Sequence, residues 1–399
     1  MPATLSDVLN IISLESGSLT FLEDERFEPL VPFDTLILDY CSELSKRIMK
    51  EPESKQYADL MTFAFWIRQG SLEQLKANYL DLDKRQGRGV SFHIAPSNVP
   101  LNFAYSLIAS LLAGNHSIVR VSSKEFPQTE LLLRLIKQSL PKELEEYVVI
   151  LKYPRNKEVN DYFSSKAQVR IVWGGDQTIT ELRTSPLPIR SKDIVFADRF
   201  SLLLINSDSY IASNNQEELA KGFYNDTYLF DQNACTSPRI VVWTGASVTK
   251  AKELFWNHLL KLVLKQYENF PVRAVEKFKQ ASLIAVHYPN TNIITMTNWL
   301  VRVEVESIDQ SLIDFVGNSG FFIEYTLKQQ LNELEPLMSD KFQTLSYFGE
   351  DPNQLRGELS TMKTLGVDRV VPIGRTMEFD LFWDGYDLIR EMSREITTI

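Results

Sequence analysis

The sequence of 399 residues predicts an α/β protein whose sheets are mostly parallel and covered by helices. Three observations carry that expectation. From Gly87 onward short apolar runs alternate with longer stretches of helical periodicity, and the alternation begins afresh near Leu202. The chain is also longer than the roughly 250 to 300 residues over which a single hydrophobic core keeps growing.

Taken in order, residues 1–86 alternate helical stretches with polar turns, and 55–79 place aromatic and aliphatic side chains at helical spacing. They read as a helical lead-in packed on the domain that follows. Four strand-then-helix units come next: 90–94 with 99–113, 117–121 with 128–140, 147–151 with 156–165, and 169–173 with 177–184. Sheets made this way bind ligands in the crevice beyond the carboxyl ends of their strands, so residues 87–200 form the first α/β domain and carry a candidate binding crevice. The second alternation starts at 202–205, passes through a helical 216–228 and a loop at 231–238, and returns to strand at 239–244. Residues 201–375 form the second α/β domain. The tail, 376–399, reads as a helix or extended arm that packs on its own chain or on a second copy.

Composition narrows the function classes. With 52 acidic and 42 basic residues the net charge is -10, which gives no overall attraction to nucleic acid. Hydrophobic content of 44% with 24% charged residues is that of a globular protein, and no run is apolar for the ~18 residues a membrane span needs. The first 18 residues lack a basic start followed by a long apolar core, so the expected location is cytoplasmic. Cys41 and Cys235 are too few for a disulfide framework or a cysteine-rich zinc site and read as free thiols. The four histidines, at 93, 116, 258 and 287, show no metal-ligand spacing and read as structural.

Cys235 lies in Asn233-Ala234-Cys235-Thr236-Ser237-Pro238, a thiol among small residues at a helix-to-strand junction, with room for a substrate carbonyl. The plainer reading is a small buried side chain. In Ala95-Pro96-Ser97-Asn98-Val99-Pro100 a strand ends and a helix begins; Asn98 either donates to a developing oxyanion or caps the helix, with Pro100 in its first turn. Gly114-Asn115 introduces a strand that ends in Arg120, Val121, Ser122 and Ser123, whose guanidinium and hydroxyls suit a ribose or phosphate. Gly174-Gly175 opens a helix where free backbone N–H groups suit a pyrophosphate, although the ordinary GxGxxG fingerprint is absent.

In this order the motifs resemble those of the aldehyde dehydrogenase superfamily, and more closely its LuxC-like branch, the acyl-CoA (fatty acid) reductases associated with bacterial luminescence. The segment 95–101 is similar to the superfamily's Pro-x-Asn-x-Pro turn, 114–123 to its cofactor strand, Trp173-Gly174-Gly175 to the turn beside the nicotinamide, and 231–238 to the nucleophile loop. The run 370–375 followed by 382–387 is similar to the reductases' closing signature. The resemblance implies an aldehyde-dehydrogenase-like fold with a cofactor domain (87–200), a catalytic domain (201–375) and a small oligomerisation element, hence a homo-oligomer. It makes Cys235 the nucleophile and Asn98, with the Cys235 backbone N–H, the oxyanion site. Arg120, Ser122, Ser123, Gly174 and Gly175 become cofactor contacts. The implied reaction is NADPH-dependent reduction of acyl-CoA, or another acyl thioester, to the aldehyde through a Cys235 thioester.

Two departures from the dehydrogenases matter. The stretch 193–201 has no glutamate where they carry a water-activating base, leaving only Asp198 to deputise, which favours reduction over hydrolysis. Arg120 stands where a lysine is usual, and arginine suits a 2'-phosphate, which favours NADPH. Glu324 is a candidate for the nicotinamide ribose, and the loop 315–325 for the acyl tunnel. An acyl-protein synthetase is the partner the resemblance implies. A cysteine-dependent acyltransferase or thioesterase without redox chemistry, and a non-catalytic acyl-presenting subunit, are the rival readings.

Overall fold

A computed structural model describes residues 4–24, 27–268, 270–315 and 317–398; the first three residues of the N-terminal segment and Val316 of the 315–325 loop lie outside it. The chain divides into two compact units, Met1–Ala197 with Asp380–Ile399, and Asp198–Phe379.

The first unit holds a six-stranded sheet of Ser13–Ser16 (β1), Val90–Ile94 (β2), His116–Arg120 (β3), Val148–Lys152 (β4), Val169–Trp173 (β5) and Lys192–Phe196 (β6), in the order β1-β4-β3-β2-β5-β6. Only the β1–β4 pair is antiparallel. Its helices include Thr35–Lys50 (α1), Asn102–Leu112 (α2), Pro127–Ser139 (α3), Lys157–Lys166 (α4) and Asp176–Leu182 (α5). β2 and β5 are buried along their whole length, as strands between helical layers should be, with Ser91, His93 and Arg170 buried among their apolar side chains. Pro127 starts α3 where its missing N–H costs nothing, and Asn156 caps α4 by accepting from Val159 N at 3.0 Å.

Local chemistry explains the details. The lead-in is not wholly helical: β1, with the sequence Ser-Leu-Glu-Ser, pairs at the sheet edge and buries only Ser16, so it leaves no apolar alternation to read. Gly114 has φ +90, and a Cβ there would lie 2.2 Å from Leu30 O; only glycine fits. Asn115, fully buried, accepts from Arg88 N (2.8 Å) and Gly89 N (3.2 Å) and donates to Met392 O (3.0 Å). The C-terminal segment packs on this unit of its own chain: Ser393–Glu395 pairs antiparallel with Arg85–Gly87, and Arg85 Nε donates to Ser393 Oγ at 2.8 Å.

The second unit holds a seven-stranded sheet of Phe200–Asn206 (β7), Pro238–Thr244 (β8), Asn292–Thr297 (β9), Leu300–Glu304 (β10), Phe321–Thr326 (β11), Phe342–Phe348 (β12) and Arg369–Pro372 (β13). The order is β9-β10-β11-β8-β7-β12-β13, parallel throughout except for β9 on β10. Its helices include Gln216–Thr227 (α6), Val248–Gln266 (α7), Pro271–His287 (α8) and Pro352–Met362 (α9). Successive side chains of a strand point to opposite faces, so Leu202 and Leu204 enter one core with Ile240, Ile284 and Phe342, while Leu203 and Ile205 enter the other with Trp243, Trp256 and Phe322. No described helix is long and apolar enough to cross a membrane.

Candidate active site

In the first unit the strand order reverses at β2: the chain runs from β2 to β3 and β4 on one side, then to β5 and β6 on the other. Such a switch point opens a crevice at the carboxyl ends of the strands. Ile94, the last residue of β2, is in register with Arg120 of β3 on one side and Val172 of β5 on the other. The Asn98 segment, Arg120 with its serines, and Gly174-Gly175 therefore leave the sheet from three adjacent strand ends. Arg120 lies over the Tyr153 ring (4.8 Å), donates from Nη2 to Tyr153 O (3.3 Å), and keeps a buried Nε–H without a partner. Ser122 is half-buried and accepts from Lys124 N at 3.1 Å, whereas Ser123 is exposed. Gly174 N–H is already given to Phe196 O (3.1 Å), and Gly175 caps α5, a helix of only seven residues.

Asn98 is exposed and is not a helix cap. The N-cap of α2 is Leu101, without a side-chain hydrogen bond, and Pro100 lies ahead of the helix, because residues 97–100 form bends and a turn first. The chain starts the helix later than the apolar periodicity suggests, which leaves the Asn98 amide outside α2.

Cys235 lies at the amino end of β8 in the second unit, in a half-buried position. Its loop leaves a short 3-10 turn, Tyr228–Phe230, through two consecutive left-handed residues, Asp231 (φ 54) and Gln232 (φ 57). A glutamine in that region is strained and persists only when its surroundings over-determine it. They do so here. The Gln232 side chain, fully buried, donates to Phe321 O (3.1 Å) and Pro238 O (3.3 Å) and accepts from Gly320 N (2.7 Å) and Phe321 N (3.1 Å). Asp231 accepts a bidentate pair from Arg273 of α8 (2.7 and 2.8 Å) and the Tyr267 hydroxyl (2.5 Å). Asn318 Nδ2 donates to Asn233 Oδ1 (2.9 Å), and Ser201 Oγ donates to Cys235 O (2.8 Å). Buried Lys277 donates to Ser319 O (2.6 Å); burial, with Arg273 nearby, pushes its amine down to about 8. Arg239, at the start of β8, turns back and donates from Nη2 to Gln232 O (3.2 Å).

The other candidates are engaged in their own surroundings. Cys41 is fully buried in α1, and desolvation pushes its thiol up to about 12, so it is inert at neutral pH. His93 is bonded to Ser106 Oγ (2.7 Å) and Ser91 Oγ (2.9 Å), and burial pushes its ring down to about 3, leaving it neutral. His116 accepts from Glu28 N and contacts Glu146 O, His258 lies 3.7 Å from Glu217, and His287 contacts Leu283 O. Among the described residues no cluster of three or more His, Cys, Asp or Glu could hold a metal. Residues 321–325 of the 315–325 segment belong to strand β11 and are buried, not a loop, and Glu324 among them is a sequence candidate the structure removes. Fully buried, it accepts from Trp243 Nε1 (2.8 Å), Trp256 Nε1 (2.7 Å) and Arg302 Nε (2.7 Å), so its carboxylate serves the core and not a ribose. In the 193–201 stretch Asp193 is engaged by Arg170 and Arg183, while Asp198 is exposed.

Gln232, Arg239, Arg273 and Lys277 carried no signal in the sequence. Their roles depend on left-handed backbone and on partners up to 89 residues away.

Comparison with known proteins identifies the family and the fold. The family model described as acyl-CoA reductase (LuxC) matches residues 46–395. The long-chain acyl-protein thioester reductase of Aliivibrio fischeri is 29% identical over 183 residues, 45% of this chain and 36% of that one. That of Vibrio harveyi is 24% identical over 330 residues, covering 77% and 63%. The chain thus spans less than two thirds of the curated relatives it matches. Among solved structures, a salicylaldehyde dehydrogenase from Pseudomonas putida G7 superposes with a TM-score of 0.64 at 13% identity, over 90% of this chain and 84% of that one. A mutant of Thermus thermophilus 1-pyrroline-5-carboxylate dehydrogenase gives 0.62 at 14% identity, over 90% and 80%. With a family match over most of its length and the aldehyde dehydrogenase fold in both units, this chain belongs to the LuxC family of acyl-CoA reductases.

Proposed function

We propose that the chain reduces an acyl thioester to the aldehyde with NADPH, holding the acyl group as a thioester on Cys235. The observation that carries this reading is the contrast between two thiols: Cys41 is sealed in a core, whereas Cys235 sits half-buried in a loop fixed by buried hydrogen bonds. The Cys235 thiolate attacks the thioester carbonyl, and the donor's thiolate leaves as the new S–acyl bond forms. The Cys235 backbone N–H and the Asn98 amide are the proposed donors to the oxyanion. With no glutamate in 193–201 and Asp193 held by two arginines, Asp198 is the one carboxylate of that stretch left to activate water, which favours hydride over water as the acceptor of the acyl group. NADPH, when bound, would supply a hydride; the role of Cys235 is to hold the acyl group as it takes up that hydride and then to leave as thiolate when the hemithioacetal collapses to the aldehyde.

Arg120, Ser122, Ser123, Gly174 and Gly175 are the proposed NADPH contacts. The fit rests on the unpartnered Nε–H of Arg120 and on the switch-point crevice from which all five emerge. Arg120→Ala is expected to weaken NADPH by tenfold or more, on the order of one lost charge-assisted pair, while leaving NADH nearly unchanged. Arg120→Lys should fall between, because ammonium keeps the charge and loses the fork. Titration of both cofactors checks this, and equal weakening of the two refutes the 2'-phosphate assignment.

The acyl donor is proposed to be CoA or an acyl-protein, the latter suggested by the names of the relatives, with an acyl-loading synthetase as partner and a homo-oligomer as the assembly. Acyl-CoAs and acylated carrier proteins graded by chain length, assayed for NADPH oxidation, test the reading. Thioester-dependent oxidation with stoichiometric aldehyde is the expected result. Thioester cleavage without NADPH consumption would establish the acyltransferase or thioesterase instead.

A further inference from the structure

A cysteine nucleophile needs its thiolate, and the histidines of this chain are engaged elsewhere. The cation nearest in sequence to Cys235 is Arg239, four residues on. Its side chain does not run out along β8 to solvent. It folds back under the loop, donates from Nη2 to Gln232 O at 3.2 Å, and keeps a buried Nε–H with no hydrogen-bond partner. A guanidinium cannot shed its charge, so burying one beside the loop places a permanent positive charge there.

We propose that Arg239 is a positioning residue that holds Cys235 as the thiolate, acting by charge through the sulfur and by its hydrogen bond on the backbone of the loop. The inference rests on Cys235 being the nucleophile and adds the group that activates it. Electrostatics within the unit agree in direction: burial lowers the guanidinium's pKa, and Cys235, then Asp198, oppose that lowering, which puts both within electrostatic reach of this cation. Among the described residues, the charged or titratable groups around the loop include Asp231 paired with Arg273 from α8, the Tyr267 hydroxyl at the end of α7, Lys277 of α8, and Asp226 of α6 with Glu378 near it. Asp226 accepts from Gly374 N (2.6 Å) and Thr376 N (3.1 Å), and desolvation pushes its carboxyl up to about 6.

The test is the pH profile of Cys235 alkylation by iodoacetamide, read by mass on the Cys235 peptide, in the full chain without substrate or cofactor. Removing the cation should raise the pH midpoint by about one unit in Arg239→Gln, and so slow alkylation at pH 7 about tenfold. Arg239→Lys should retain most of the wild-type midpoint, since charge and not shape sets it. Asp198→Asn should move the midpoint the other way, down, because it removes a carboxylate that competes for the guanidinium and repels the thiolate. This second variant decides the matter if Arg239→Gln does not fold. An unchanged midpoint in folded Arg239→Gln overturns the proposal. So does a rise or no change in Asp198→Asn, or a midpoint that moves only in Lys277→Gln, which would assign the profile to the lysine amine. Because alkylation needs no acyl donor, a chain that shows these shifts yet fails to reduce thioesters would refute the reductase reading and leave this inference standing.

Discussion

Cys235→Ala is expected to lower thioester-dependent NADPH oxidation to background, a loss on the order of ten-thousandfold or more, as when the nucleophile of a covalent mechanism is removed. Fold and NADPH affinity should survive. The Cys235 side chain is only half-buried, and the loop's hold comes from Gln232, Asp231 and the Cys235 carbonyl, all of which alanine leaves in place. Melting within about 1 kcal/mol of wild type, with unchanged NADPH titration and no turnover, is the expected set of results. Retained turnover would remove Cys235 from the chemistry.

Asn98→Ala should reduce turnover by roughly a hundredfold or more, since losing one oxyanion donor typically costs about 2.7 to 4 kcal/mol of barrier. The structure sharpens this prediction. A capping asparagine would lose about 1 kcal/mol of stability with little change in rate, but Leu101 is the cap of α2 and Asn98 is exposed ahead of it. The stability loss of a helix cap should therefore be absent, and the effect should fall on kcat. Turnover and thermal unfolding of the same variant check it, and a stability loss with normal kcat would return Asn98 to a scaffold role.

The α/β class was legible because its strands are short, mostly apolar runs that alternate with helical stretches. Residues 90–94 and 169–173 were expected as strands and are Val90–Ile94 and Val169–Trp173, buried throughout. The helix expected over 99–113 begins at Asn102, since apolar periodicity continues through bends that the periodicity alone does not register. β1 was missed because an edge strand burying one serine has no pattern. At the site, residue type and motif order brought out Cys235, Asn98, Arg120 and the glycine pair. Glu324 misled, because a carboxylate destined for two indoles and a guanidinium in the core is indistinguishable in sequence from one destined for a ribose. Gln232 and Arg239 were invisible for the opposite reason: their importance comes from a left-handed turn and a side chain that folds back, neither written in composition or spacing.

The most direct test of the central claim is intact-protein and peptide mass measurement after incubation with an acyl thioester and no cofactor. The account predicts a single acyl adduct on the peptide containing Cys235, stable to water and discharged as aldehyde when NADPH is added. An adduct on Cys41, no adduct at all, or discharge as the free acid regardless of NADPH would contradict it.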